Sequence, residues 1–319
     1  MVESLVLAFA LSVIRLSAPM FIAGMGNMYC ERVGVLNLGA EGMMVSGAFA
    51  AVLGSYLTGN PWIGVLMGML AGLVASGIHA LVCVEFGGMH AISGLGLTML
   101  CNGIARFLCI SIFGSTYSPN VAALQTTDIL AGLPIVGGFL SQLSPLIYVG
   151  VSADVAAAVG VLLGVVSWYV IFRTTYGLRV QAVGDDPKTV ETAGINVWRL
   201  RYSGVLICGV LCGIAGAYMS LGQLDRFFDG MISGKGMMAV IAVKMGKWAP
   251  GGILGTALLL GLFDALQMKL QVANTIGLSP ELLGMVPYLA GVAVLCFQRG
   301  KNARPTALDT TYLRNKYKF

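Results

Sequence analysis

Asn37 and Glu41 stand four residues apart in GVLNLGAEG (Gly34 to Gly42), within a stretch that is otherwise apolar. On a helix that spacing puts both side chains on one face. Polar groups at membrane depth are costly and are functional candidates by default. Glycines 34, 39 and 42 loosen or break the helix, so backbone polar groups can line a wet cavity. Discontinuous helices of this kind flank solute paths in transporters. The same glycines also suit close helix packing, with Glu41 paired to Arg15 or Arg32. Thr98 and Asn102 are again four apart in SGLGLTMLCN, where packing is the simpler role for the glycines. Asp264 and Gln267 lie about one turn apart in LFDALQMKLQ and suit helix–helix hydrogen bonding, with pore lining as the other reading. These six residues are the candidate solute path.

Covalent chemistry has no comparable signature. GxSxG and HExxH are absent, and the histidines are two, His79 and His90. The seven cysteines are scattered through apolar segments without a CxxC pair, which reads as packing rather than metal or redox use. Without a Walker-type glycine loop the chain has no means of binding and hydrolysing ATP by that route. No cofactor or metal is expected in it.

The elements that position these residues follow from composition. Apolar residues make up 57% and charged residues 10%, against roughly 25% charged in soluble domains. Several apolar runs exceed the length needed to cross a bilayer. The expected fold is therefore an all-α polytopic membrane protein, a single transmembrane domain over residues 1–319. The 44 glycines agree, because small residues let membrane helices approach closely. The net charge of +5 is gathered at membrane edges and does not imply nucleic-acid binding. Glu3 in place of a basic leader argues against a cleavable signal peptide.

About nine crossings (8–10) are expected: residues 5–28, 33–57, 62–84, 91–113, 150–172, 203–221, 231–245, 253–270 and 282–297. A connection over 114–148 has three prolines and no Lys or Arg. Segment 173–202 is the longest polar interruption and holds five of the 19 cations; the tail 299–319 holds six more. The positive-inside rule places both in the cytoplasm, with the 114–148 loop and the N-terminus outside. Within 173–202 a short helix is legible. Asp185 or Asp186 suits the N-cap, Pro187 the first helical position, Lys188 to Ala193 the body, and Gly194 the left-handed stop. So short a helix needs neighbours or a partner to hold it, and its double cap and flanking cations suggest a docking element.

Three stretches together resemble the permease subunits of bacterial ABC importers, in the branch that includes nucleoside and simple-sugar permeases. They are ERVGVLNLGAEGMMVSGAF (31–49), TTYGLRVQAVGDDPKTVETAGINVWRLRY (174–202) and GKGMMAVIAVKMGKWAPGGILGTALLLGLFDALQ (234–267). The resemblance covers nearly the whole chain. It implies that Asp185, Asp186, Pro187, Lys188, Glu191, Thr192, Gly194 and Asn196 belong to a cytoplasmic coupling helix seated in a separate ABC ATPase, which uses ATP and Mg. It also implies a second related permease (or a second copy of this chain), a periplasmic or lipoprotein solute-binding protein, and residence in the cytoplasmic (inner) membrane of a bacterium. Ala249-Pro250-Gly251 departs from the Asn-Pro-type turn expected there. Nucleosides fit the branch best, with riboflavin and simple sugars as alternatives. Rival readings are a proton-coupled secondary transporter using Glu41 or Asp264, and a scaffold with no transport path.

Overall fold

A computed structural model describes residues 2–124, 155–273, 280–297 and 304–312. Within them the chain is helical, and pairing of extended backbone is confined to an isolated bridge between Tyr117 and Phe228. The first four helices are α1 (Val2–Arg32), α2 (Ala40–Thr58), α3 (Pro61–Ala80) and α4 (His90–Phe113). After residue 154 follow α5 (Val155–Arg173), α6 (Thr175–Asp185), α7 (Pro187–Thr192) and α8 (Val197–Tyr218). The last are α9 (Lys235–Met245), α10 (Pro250–Ala273), α11 (Pro280–Gly284) and α12 (Val286–Phe297). Six of these, with their extensions, are long and apolar enough to cross a membrane. A seventh is reached if α5 and α6, bent by 73°, count as one span. α9, with 11 residues, is too short to cross alone, and α12 belongs to a shorter apolar stretch, Leu282–Cys296. Most of the expected 114–148 connection, and the tail apart from residues 304–312, lie outside the described residues.

Local chemistry explains the breaks. Gly59 takes φ +68° and stops α2. The Asn60 side chain then accepts from Trp62 N–H (2.9 Å), and Pro61 opens α3. α6, absent from the expected elements, is capped by the Thr174 hydroxyl, which accepts from Gly177 N–H (3.2 Å). Gly177 lies so close beneath the Val170 and Ile171 carbonyls that a side chain would overlap them, which permits the sharp turn after α5.

The core is built on backbone contact between helices. A Cβ on Gly47 of α2 would stand 2.6 Å from the Gly213 Cα of α8. One on Gly68 of α3 would stand 2.9 Å from the Gly47 carbonyl, and one on Gly72 the same distance from Gly213 Cα. Glycine allows this approach because it carries no Cβ, and dispersion across a bare backbone seam replaces the hydrophobic drive that lipid removes. α1 lies against the same block, burying Met20, Ile22, Met25 and Met28.

Two ends of the bundle can be told apart. At one, Arg15 donates to the Gly222 carbonyl (3.1 Å), Ser55 to Ala122 (2.9 Å), and Ser118 N–H to Phe227 (2.8 Å). At the other, Arg32 donates twice to the Trp248 carbonyl (3.0 and 2.7 Å), and Ala307 N–H donates to Gly184 (2.8 Å). The polar segment and residues 304–312 therefore share an end.

Candidate functional site: a polar junction between two helix starts

After Arg32 the chain does not continue as helix. Gly34 takes φ +86°, and Val35 N–H reaches back to the Cys30 carbonyl (3.2 Å). Residues 33–39 thus fold back beside the end of α1, and α2 begins only at Ala40. This overturns the expected shared helical face of Asn37 and Glu41, because Asn37 precedes the helix. Asn37 is fully buried and donates to the Asn27 side chain (2.8 Å), while its oxygen accepts from Gly39 N–H (2.8 Å). It anchors the break. Both histidines grip the same backbone: His79 Nε2 lies 3.3 Å from the Leu36 carbonyl, and Leu36 N–H donates to His90 Nδ1 (3.4 Å).

Glu41 points elsewhere. In the first turn of α2, its carboxylate accepts from the N–H of Gly234 (2.9 Å), the residue that caps α9. The pairing with Arg15 or Arg32 does not form, since Arg15 serves Gly222 and Arg32 serves Trp248. One carboxylate therefore lies at the positive ends of two helix dipoles. Gly236 makes the approach possible, because a Cβ there would stand 2.5 Å from Glu41 N. Ser233 (φ +50°) and Gly234 (φ +78°) supply the turn into α9.

Beside this contact Lys235 Nζ lies 3.7 Å from Asp264 of α10, with the two residues 9% and 8% exposed. The Tyr288 hydroxyl of α12 donates to the Ser233 carbonyl (3.5 Å). The depth can be gauged from α9. Its far end leads to Trp248, whose indole N–H donates to the buried Glu31 carboxylate at the end of α1 (2.6 Å). Eleven residues at 1.5 Å each put its start roughly 16 Å in from that end, about half the 30 Å hydrocarbon core.

The other path candidates make no polar contact with this junction among the bonds described. Thr98 and Asn102 bond within their own helix, to Gly94 (3.1 Å) and Thr98 (2.9 Å) carbonyls. A Cβ on Gly42 would stand 2.7 Å from Thr98 Cα, so this part of α4 packs on α2. Gln267 is half-buried beside Gly284 of α11. Lys235 and Tyr288 were not among the expected site residues. A lysine opening an apolar segment was the available signal for the first.

The short helix of the polar segment is present as α7. Asp186 is its cap, accepting from Lys188 N–H (3.0 Å) and from the Thr189 hydroxyl (2.6 Å). That hydroxyl bond, with the Thr189 amide, holds the Asp186 carboxyl below the usual aspartate range. Gly194 ends the turn at φ +78°. Asp185 instead closes α6, and Asn196 caps α8 by accepting from Arg199 N–H (3.1 Å). Asp185, Asp186, Lys188, Glu191, Thr192, Gly194 and Asn196 are exposed, while Pro187 and Val190 face inward. A polar face is thus presented at one end of the bundle.

These features define a multi-pass helical membrane protein with a polar junction inside it and an exposed short helix at one end. The chain belongs to the permease family described as branched-chain amino acid transport system / permease component, which matches residues 9–295. Relatives extend over almost its full length. It is 30% identical to the nucleoside ABC transporter permease protein NupC of Lactococcus lactis, covering 94% of this chain and 95% of that one. To the guanosine ABC transporter permease protein NupQ of Bacillus subtilis it is 32% identical, covering 94% of each. It is 34% identical to TsgC13 of Haloferax volcanii, a permease protein named provisionally for glucose, covering 94% and 96%. No solved structure matches the chain.

Proposed function

We propose that this chain is a membrane-spanning subunit of an ATP-driven importer of nucleosides. The observation that carries the solute is near end-to-end likeness to permeases named for nucleosides and guanosine. ATP and Mg are used in a separate ABC ATPase, against which the exposed face of α7 docks. A second related permease completes the pore, a binding protein delivers solute on the opposite side, and the chain itself has no catalytic role. Counting α9 with its preceding loop, and α12, as crossings gives nine. The α7 end and the C-terminus then face the cytoplasm of the inner membrane.

The solute path runs past the junction. Glu41, Lys235, Asp264 and Tyr288 offer acceptors and donors at mid-depth, the pairing that ribose hydroxyls and base amides require of a mostly apolar site. Gln267, Thr98 and Asn102 line its approaches, and Asn37 holds the break in shape. Alternating access follows when ATP-driven closure of the ATPases displaces α7.

The complex reconstituted in vesicles with its ATPase and companion permease tests this reading. Uptake of labelled guanosine should require ATP, persist with a protonophore, and be competed by unlabelled uridine or adenosine but not by glucose. Competition by glucose alone would replace the solute. ATP-independent uptake that a protonophore abolishes would replace the mechanism.

A further inference from the structure

Residues 304–312 cross one end of the bundle and touch five parts of the chain. Ala307 N–H donates to the Gly184 carbonyl near the end of α6 (2.8 Å), and Asp309 N–H donates to Gly34 (3.1 Å). The Asp309 carboxylate lies 3.3 Å from His90 at the start of α4. Arg201 of α8 donates to the Thr310 carbonyl (3.2 Å), and the Tyr312 ring lies 5.5 Å from its guanidinium. The Tyr312 hydroxyl donates to the Glu191 carboxylate of α7.

Arg201 shows why this segment is more than a passing tail. It is fully buried, and among the described residues no carboxylate lies within ion-pair distance of it. A desolvated guanidinium is costly unless its donors and its charge are met. The Thr310 carbonyl meets one donor, Nη1, and the Tyr312 face meets the charge as a cation–π contact, while Nε and Nη2 have no partner among the described residues. Both come from residues 304–312. Burial, and then the Glu191 carboxylate beside it, push the Tyr312 hydroxyl up to about 12, so it remains a donor across the physiological range.

We propose that residues 304–312 are a strap that passes movement of α7 to the break at 33–39 and to α4, with Tyr312 and Arg201 as positioning residues. The strap grips α7 at Glu191 and the break at Gly34, and Gly34 lies seven residues before Glu41 at the junction. Arg201 fixes the strap between those two holds. This rests on the reading that α7 docks an ATPase.

The test uses the complex of this chain with its ATPase and companion permease in vesicles, measuring guanosine uptake and ATP hydrolysis on one sample. Tyr312→Phe keeps the ring over Arg201 and removes the hydroxyl. Uptake per ATP should fall about tenfold, the scale of a lost hydrogen bond to a charged group, while ATP hydrolysis and the yield of complex stay unchanged. Adding Glu191→Ala to it should cost no more than the worse single change. A wild-type ratio in Tyr312→Phe overturns the strap. Gly194→Pro, which disturbs α7 itself, separates the two claims. If it lowers the ratio while Tyr312→Phe does not, the strap alone fails; if neither lowers it, docking by α7 fails as well. Should Tyr312→Phe not assemble, Glu191→Gln decides instead: it keeps an acceptor but removes the charge from the bond to the Tyr312 hydroxyl, so uptake per ATP should fall severalfold, and a wild-type ratio overturns the strap.

Discussion

Removing the Lys235 ammonium while leaving Asp264 strands a carboxylate at mid-depth with no cation within ion-pair distance among the described residues. Breaking a buried pair from one side costs roughly 3–5 kcal/mol, whereas replacing both partners by apolar groups is often neutral. Lys235→Met should therefore lower the thermal midpoint of the purified protein markedly, and Lys235→Met with Asp264→Leu should recover most of it. If the double variant also loses guanosine uptake, the pair serves the solute and not the fold. Asp186 gives a second test at this scale. Its carboxyl is held below the ordinary range, so its contribution is complete above the unfolded value of about 4 and fades as pH falls through the lower, folded value. Slow amide exchange of Thr189 should accordingly survive acidification through the ordinary aspartate range and be lost below it. In Asp186→Ala that protection should be weak at every pH.

At the scale of elements, what was legible and what was not divides along physical lines. The cap, proline and left-handed glycine around 186–194 act within a few residues of one another, so the short helix could be read from the chain to within one residue. The break at 33–39 was half legible. Its glycines marked the discontinuity, but nothing nearby told that Asn37 would fall before the helix and turn toward Asn27. The Glu41–Gly234 contact joins residues 193 apart, and Lys235–Asp264 depends on the same long-range packing. Local pattern is silent about both. α6 does not stand out in the sequence because it is only 11 residues long and its narrow buried face, Gly177, Val180, Val183 and Gly184, lies inside a polar segment. Glycine seams are likewise beyond local reading, yet they make a clear prediction. Gly213→Leu drives a side chain into the backbone of α3, its Cβ 2.4 Å from the Gly68 carbonyl oxygen, and overpacking costs about 1–3 kcal/mol or more. The folded fraction on size-exclusion chromatography should drop sharply, while Gly103→Leu, at a position with open space around it, should behave as wild type.

For the whole molecule, composition alone indicated the all-helical membrane class, because apolar length is a property of segments and needs no tertiary knowledge. The number of crossings did not follow so directly, since α9 is half a span and hydropathy does not tell a half-span from a short full one. The glycine seams also have a consequence for how the chain is made. α3 and α8 meet backbone to backbone at Gly72 and Gly213, yet 141 residues separate those two positions (213 minus 72). When α3 leaves the ribosome, α8 does not yet exist. Domains emerge N-terminal first, at about 5–20 residues per second, so Gly64 and Gly68 can pack on α2 at once while the groove at Gly72 waits in lipid for several seconds. A chain halted before Val197 would keep that groove open, a shape by which membrane quality control could recognise an unfinished copy.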